Sequence, residues 1–536
     1  MPEFRIAPVF SDRCVLQRDK EISVFGEAGD GQKIKVTLLV KKDASDLKYD
    51  EYTAETHAAG GRWKVKLPAQ KAAGYCELVA ECGEKVQKLC DIAIGEVWLL
   101  GGQSNMEFEL QNCTTGKKHL ENDHPDVRFY YTQKKGYIDE DFLGSEAKTA
   151  WSKFGPESAK CWSAAGYIFG KKLSEALNVT VGLIGCNWGG TSASAWMSPE
   201  ALKEDAGTGT YLDDYEKNIV GKSDAVQKAE YDAYLKEADV WNQKYSKLWE
   251  EKPGIDWAEA EKTLGKNPWP GPINSYNPFR PGGLHECMIL RVCPYTLRGF
   301  TFYQGESDDH KPGFYYTLFS RMIKQWRDDW GEELPFVFVQ LPGHRYESDP
   351  DYKHWCIIRE AQQKVADTVP GTAMACIIDA GEFNDIHPKD KEPVGDRMYR
   401  VAMEKVYSLM DENEAESPEP YVKEIDDSTA VIAFKHVGEG LVIKAHGDDK
   451  TIAGFELAGA DKVFCPAKAV LSLDAKEVYL SASGVDKPEY VRYLWSNYPE
   501  KINLYSRFSL PVRPFRTDSD DANEVRDIKI QQIMEL

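Results

Sequence analysis

An apolar strand that stops at two glycines and then presents a serine restricts this chain more than any other feature. The run is Gly95-Glu96-Val97-Trp98-Leu99-Leu100-Gly101-Gly102-Gln103-Ser104, continued by Asn105-Met106. Glycine adopts positive φ without steric cost, so the backbone can turn sharply where the strand ends. The serine hydroxyl then points out of the end of a sheet, where α/β proteins bind their ligands and where a nucleophilic serine has to stand. A buried strand followed by an ordinary Gly-Ser loop has the same local sequence. The reading therefore depends on what the rest of the chain brings beside Ser104.

At 536 residues the chain is too long for one ordinary core, and about 150 residues per domain suggests about three domains. Residues 1–94 read as β, with alternating runs such as Ile22-Ser23-Val24-Phe25-Gly26, Lys33 to Leu38 and Trp63 to Pro68 between Gly- and Asp-rich turns. Strands at roughly 10-residue spacing suggest a small antiparallel sandwich. From 95 to 412 apolar strands alternate with helical stretches, which implies a doubly wound parallel sheet covered by helices on both faces. Residues 205–280 interrupt that alternation with a charged helical insertion, either a lid or a solvated hairpin, ended by Lys266-Asn267-Pro268-Trp269-Pro270-Gly271-Pro272. Short β runs return at 413–518, and 519–536 is an acidic tail.

Net charge is −21, from 87 acidic and 66 basic residues, so the chain would repel a phosphate backbone and nucleic acid is excluded as a partner. No apolar run approaches the roughly 18 residues of a membrane span. Met1-Pro2-Glu3-Phe4-Arg5 is not a basic region leading into an apolar one, so the chain as written is expected to be cytoplasmic, or secreted if a leader has been removed. The 12 cysteines follow no repeating frame and are expected to be buried and reduced, although Cys76 and Cys82 could pair across a hairpin in an oxidising compartment. His285, Cys287 and Cys293 lack a fourth ligand, and no zinc-site spacing occurs elsewhere, so neither a metal nor another cofactor is expected.

Four segments in the middle region follow strands: Gly102-Gln103-Ser104-Asn105-Met106, Trp188-Gly189-Gly190-Thr191-Ser192, Tyr303-Gln304-Gly305-Glu306-Ser307-Asp308 and Asn384-Asp385-Ile386-His387-Pro388. In a doubly wound sheet all four gather at the carboxyl edge. Acyl transfer is the chemistry they can support. Serine needs a base, for which His387 is the candidate, and a carboxylate can hold the imidazole in the right tautomer. Asp385 is the expected carboxylate, with Asp379 or a main-chain carbonyl as alternatives. The N–H groups of Ser104 and of Gly189 or Gly190, with the Gln304 amide, can stabilise an oxyanion. Gln103, Asn105, Trp188, Trp196 and Glu306 are the expected substrate contacts, the two tryptophans serving either as a sugar platform or as core packing. Ser192 and Ser194 compete with Ser104 as nucleophiles but lack its strand-glycine-glycine approach.

These segments resemble, in their usual order, the motifs of SGNH-type esterases and specifically of the sialate O-acetylesterase family. Val9-Phe10-Ser11-Asp12 with Val15-Leu16-Gln17-Arg18, and Asn503-Leu504-Tyr505 with Pro514-Phe515-Arg516-Thr517-Asp518, extend the resemblance over nearly the whole chain. It implies a flavodoxin-like three-layer catalytic domain flanked by β-sandwich modules. It also implies a serine acetylesterase acting on sugars through an acyl-enzyme, with Ser104 as nucleophile, His387 as base, and the Gly189-Gly190 turn and Gln304 in the oxyanion hole. In the broader SGNH pattern the acid lies three residues before the histidine, whereas Asp385 lies two before it. Acetylated sialic acid and acetylated plant-cell-wall oligosaccharides are both compatible substrates. A non-catalytic carbohydrate-binding protein on the same scaffold is the competing function.

Overall fold

Nothing between Lys85 and Gly102 breaks an extended chain, and in the computed structural model these 18 residues form one strand, β1. The structure describes residues 3–41, 48–123, 125–252, 255, 257–348, 350–445 and 451–519, so the acidic tail beyond residue 519 lies outside the described residues. The first half of β1 pairs antiparallel with Ala73–Cys82 and parallel with Val15–Gln17. Its second half is the centre of a parallel sheet. The expected boundary between residues 94 and 95 therefore falls inside a strand. Gly95 is a point of close approach, since a Cβ there would lie 1.9 Å from the carbonyl oxygen of Thr180.

The other parallel strands are β2 (Val127–Tyr131), β3 (Val181–Asn187), β4 (Gly299–Tyr303), β5 (Phe336–Gln340) and β6 (Thr372–Cys376), in the spatial order β2-β3-β1-β4-β5-β6. A short antiparallel strand, Ser152–Lys153, borders β2. Strands β3 to β6 are buried along their whole length, as strands covered on both faces must be. The helices are α1 (Ser104–Glu107), α2 (Ala164–Leu177), α3 (Tyr315–Trp330), α4 (His354–Thr368) and α5 (Glu392–Lys405). Consecutive strand residues face opposite ways. Leu100 meets Gly166 of α2, while a Cβ on Gly101 would come within 2.7 Å of Trp326 in α3. After β1 the chain moves out to β2, returns beside β1 as β3, and then crosses to the other side of β1 as β4. That reversal opens a crevice at the carboxyl end of β1, where Ser104 begins α1.

The N-terminal strands alternate as expected, with Ile22–Glu27 and Arg62–Leu67 burying every second residue. Cys76 and Cys82 lie on one strand, Ala73–Cys82. Six residues of extended chain put them about 20 Å apart, so they do not pair across a hairpin; both are free thiols. The insertion is helical, as Ala206–Ile219, Asp224–Glu251 and Trp257–Leu264. The C-terminal strands enclose a separate core that includes Ile432, Leu457, Val478, Leu480 and Val491. That module holds the catalytic sheet through Arg359, which donates to the carbonyls of Ser496 and Asn497 at 2.5 and 3.3 Å. The molecule is thus a mixed α/β protein with one large mixed sheet and further β modules.

Glu96 fixes β1 to three other parts of the chain. Its buried carboxylate accepts from Gln17 (3.2 Å), Arg18 (2.6 Å), Arg298 (2.7 and 3.1 Å) and Tyr407 (3.1 Å). Burial alone would raise its pKa, but the two guanidinium groups outweigh that and hold it below the usual carboxylate value. A depressed pKa contributes stability that is present above the unfolded-state value and lost as pH falls through the folded-state value. Glu96→Gln should lower unfolding free energy by about 2–3 kcal/mol, near the low end for a broken buried pair because both arginines keep some contact with water. The acid-dependent part of the stability should shrink with it. Urea titrations of both proteins across the acid range check this, and equal stability at neutral pH would contradict it.

Candidate active site

The serine hydroxyl is placed by backbone geometry. Gly102 has φ +131°, and a Cβ there would lie 2.2 Å from the carbonyl oxygen of Tyr303, so no other residue can end β1 this way. Ser104 is the first residue of α1, where a backbone N–H has no acceptor within the helix. Across the crevice, the loop after β6 brings His387 Nε2 to 2.8 Å from Ser104 Oγ. Residues 283 positions apart are thus joined by a hydrogen bond.

The acid contact differs from expectation. Asp385 Oδ1 accepts the backbone N–H of His387 at 2.9 Å, so this carboxylate shapes the turn on which the histidine stands. Two-residue spacing favours such a side-chain-to-backbone turn. Asp379 is held by Arg397 in a two-point ion pair, at 2.5 and 2.9 Å, and does not orient the imidazole. Burial pulls the His387 pKa below the ordinary histidine value, the Lys391 charge lowers it further, and the Asp385 charge opposes both.

The second glycine turn stands directly against the nucleophile, since a Cβ on Gly189 would be 3.1 Å from Ser104 Cβ. The Gly189 N–H already donates to Glu107 Oε2 at 2.6 Å, which leaves Ser104 and Gly190 as the uncommitted backbone positions at this point. Gln304 is not a free donor either. Its amide nitrogen donates to Asp308 Oδ2 (2.7 Å) and to the Thr191 carbonyl (3.2 Å), and its oxygen accepts from Tyr315 (3.0 Å). An amide has two N–H donors, so both are spent on fixing the glycine loop. Asp308 also accepts from Ser192 Oγ (2.5 Å), the Ala193 N–H (2.9 Å) and Tyr211 of the insertion (2.8 Å). Ser192 is thereby engaged, and Ser194 is buried beside it, so neither rivals Ser104.

Four of the five expected substrate contacts, Gln103, Asn105, Trp196 and Glu306, are buried. Trp196 is fully buried, its indole N–H donating to Thr191 Oγ1, and is core packing. Gln103 is buried and accepts the Ser307 N–H at 3.2 Å. Asn105 and Glu306 belong to an internal network: Asn105 donates to Glu306 Oε1 (2.7 Å) and to the Ile386 carbonyl (2.9 Å), and accepts from Lys391 Nζ (2.6 Å). Trp188 alone is half-buried at the crevice. Lys391 was not singled out from sequence. It is wholly buried, and burial pulls its pKa down to about 8, while the Glu306 carboxyl is pushed up, also by burial. Its one sequence signal is position, four residues after His387 and just before α5. Of the cluster weighed as a metal site, His285 pairs with Asp329 at 2.8 Å and Cys293 donates to the Asp329 carbonyl. Among the described residues no three His, Cys, Asp or Glu side chains are grouped to hold a metal, and no helix is long and apolar enough to cross a membrane.

Comparison with known proteins agrees with this geometry. Residues 94–252 and 280–391 match the family described as carbohydrate esterase, sialic acid-specific acetylesterase. The chain is 25% identical to sialate O-acetylesterase of Mus musculus, over 96% of this chain and 94% of that protein. It is 26% identical to sialate O-acetylesterase of Homo sapiens, over 75% and 71%. A solved carbohydrate acetylesterase of Xanthomonas citri superposes with a TM-score of 0.73 at 27% identity, covering 96% of this chain and all (100%) of that one. The matched segments carry Ser104, the Gly189-Gly190 turn, Gln304 and His387, and they leave out most of the segment between the long insertion helix and Arg280. The chain belongs to the sialic acid-specific acetylesterase family of carbohydrate esterases and is a carboxylic ester hydrolase.

Proposed function

We propose that the protein removes acetyl groups from sugar hydroxyls by a two-step serine mechanism, and the 2.8 Å contact between His387 Nε2 and Ser104 Oγ carries the reading. His387 takes the Ser104 proton as the oxygen attacks the acetyl carbonyl carbon. The oxyanion forms beside the Ser104 N–H and the Gly190 turn. Collapse breaks the ester bond, and imidazolium returns its proton to the departing sugar oxygen. Water, deprotonated by the same imidazole, then releases acetate from Ser104. Asp385 stabilises the imidazolium through space, while Gln304 and Asn105 position the elements around the dyad. The order β2-β3-β1-β4-β5-β6 supports an SGNH-type, flavodoxin-like reading of the sheet. The catalytic unit is then about residues 95–412, flanked by modules at 1–94 and 413–518 and sharing β1 with the first. Acetylated sialic acid is the substrate class named for the mammalian relatives, and acetylated plant-cell-wall oligosaccharides are the alternative. Acetate release from both separates them.

Ser104→Ala should reduce turnover of a soluble acetyl ester by roughly 10⁴- to 10⁶-fold with unchanged circular dichroism. A phosphonate ester should label Ser104 in the wild type. Near-normal turnover in the variant, or no label on the wild type, would remove Ser104 as the nucleophile.

The base must be neutral, so activity falls as pH drops through the His387 pKa, which lies below the ordinary histidine value. Lys391→Met removes a positive charge that disfavours imidazolium, so the acid limb should move to higher pH. Asp385→Asn removes a negative charge that favours it, so the limb should move to lower pH. pH–rate profiles of the three proteins check the two opposite shifts, and shifts in the same direction would rule out this electrostatic account.

A further inference from the structure

Gln103, Asn105 and Gln304 beside Ser104 are buried and hydrogen-bonded within the protein, so the surface that receives the sugar lies elsewhere. The insertion supplies one candidate. Trp269 is 52% exposed, unusual for so large an apolar group next to a reactive centre. It stands close to Ser104 by a short chain of contacts. A Cβ on Gly189 would lie 3.1 Å from Ser104 Cβ, and a Cβ on the next residue, Gly190, would lie 2.7 Å from Trp269 Cζ2. A side chain at either glycine would press on Ser104 or on the indole.

The indole is also held in place. Phe279 packs edge-on against the ring at 5.7 Å, and Asn267 Oδ1 accepts the backbone N–H of Trp269 at 2.9 Å. The fully buried Asn277 donates to the carbonyls of Pro270 and Pro272, both at 3.0 Å. Near the histidine loop, Tyr346 is 47% exposed and packs against His344, and the next residue, Glu347, donates its N–H to Asn384 at 2.6 Å.

We propose that Trp269 is the platform on which the pyranose ring bearing the acetyl ester stacks, so that the insertion builds the carbohydrate subsite. This rests on the esterase reading of Ser104 and His387. The axial C–H bonds of a pyranose present a weakly positive apolar face, complementary to the negative face of an indole. A rigid exposed ring receives that face without ordering a flexible side chain first.

The test compares two esters, p-nitrophenyl acetate, which has no sugar ring, and a methyl xyloside carrying acetyl esters. For each protein the ratio of kcat/KM on the sugar ester to that on p-nitrophenyl acetate is measured. Trp269→Ala should lower the ratio about 10-fold, mainly through KM on the sugar ester, as expected for loss of one stacked ring. Trp269→Phe, which keeps a ring, should recover most of it. An unchanged ratio in Trp269→Ala, including equal losses on both esters, would overturn the proposal while leaving the esterase reading standing. If the wild type hydrolyses neither ester, the esterase reading fails first. Binding of the same xyloside to the wild type and to Trp269→Ala by calorimetry then decides the platform: a weakened Kd supports it, and an equal Kd or no binding overturns it.

Discussion

The carboxylate of Asp308 takes four hydrogen bonds, and the shape of the crevice depends on them. The donors are Ser192, Ala193, Tyr211 and Gln304. They come from the loop after β3, the insertion and the end of β4. A buried carboxylate without donors is very costly, whereas one with several charge-assisted bonds is fixed in position. Asp308 therefore converts the requirement to satisfy one charge into a fixed position for the Gly189-Gly190 turn. Asn105 plays the matching part beneath the nucleophile, joining Lys391, Glu306 and the Ile386 carbonyl. Ser104 lies between these two buried networks, with its hydroxyl on His387 Nε2 and the glycine turn against it.

This arrangement explains which residues could be read from sequence. The strand, its glycines and Ser104 were legible because an apolar run, a turn and a nucleophile are each written in local residue types. His387 was legible because it belongs to a short polar segment after a predicted strand. The neighbours of Ser104 were misassigned because adjacency in sequence does not say which way a side chain points. Successive residues of a helix differ in direction by about 100°, so Ser104 faces the crevice while Asn105 faces the interior. Trp196 turns inward for a similar reason, its backbone carbonyl accepting the Trp326 indole N–H across the α3 packing. Gln304 has the right chemistry for an oxyanion donor, but its hydrogen-bond capacity is spent on partners, Asp308 and Thr191, of which Thr191 is distant in sequence.

The same limit applies to the fold. The β–α alternation from residue 95 onward is present, and so is the helical insertion. The change of sequence texture at Gly95 marks a change of partner strands within β1. Gly95 is small to admit the Thr180 carbonyl, a contact with a residue 85 positions away. Cys76 and Cys82 failed as a pair because the segment joining them is strand throughout. Lys391 carried no sequence signal of burial, because lysine before a helix is ordinarily a solvated residue.

The buried lysine also gives the base its character. A positive charge near a catalytic imidazole keeps it neutral at lower pH, so more of the enzyme is ready to accept a proton. It also makes the imidazole a weaker base, which slows proton removal from serine. Asp385 opposes this by favouring the charged imidazolium that forms as the serine attacks. Because it holds the backbone N–H of His387, its charge stays at a fixed distance whatever the imidazole does. In the dyad described here, orientation comes from the turn and electrostatic tuning comes from two opposed charges, Lys391 and Asp385. In the proposed mechanism, an acid two residues before the histidine supports the same proton transfer as one that grips the imidazole directly, because the buried Lys391 cation and the backbone-bound Asp385 carboxylate act together on the ring.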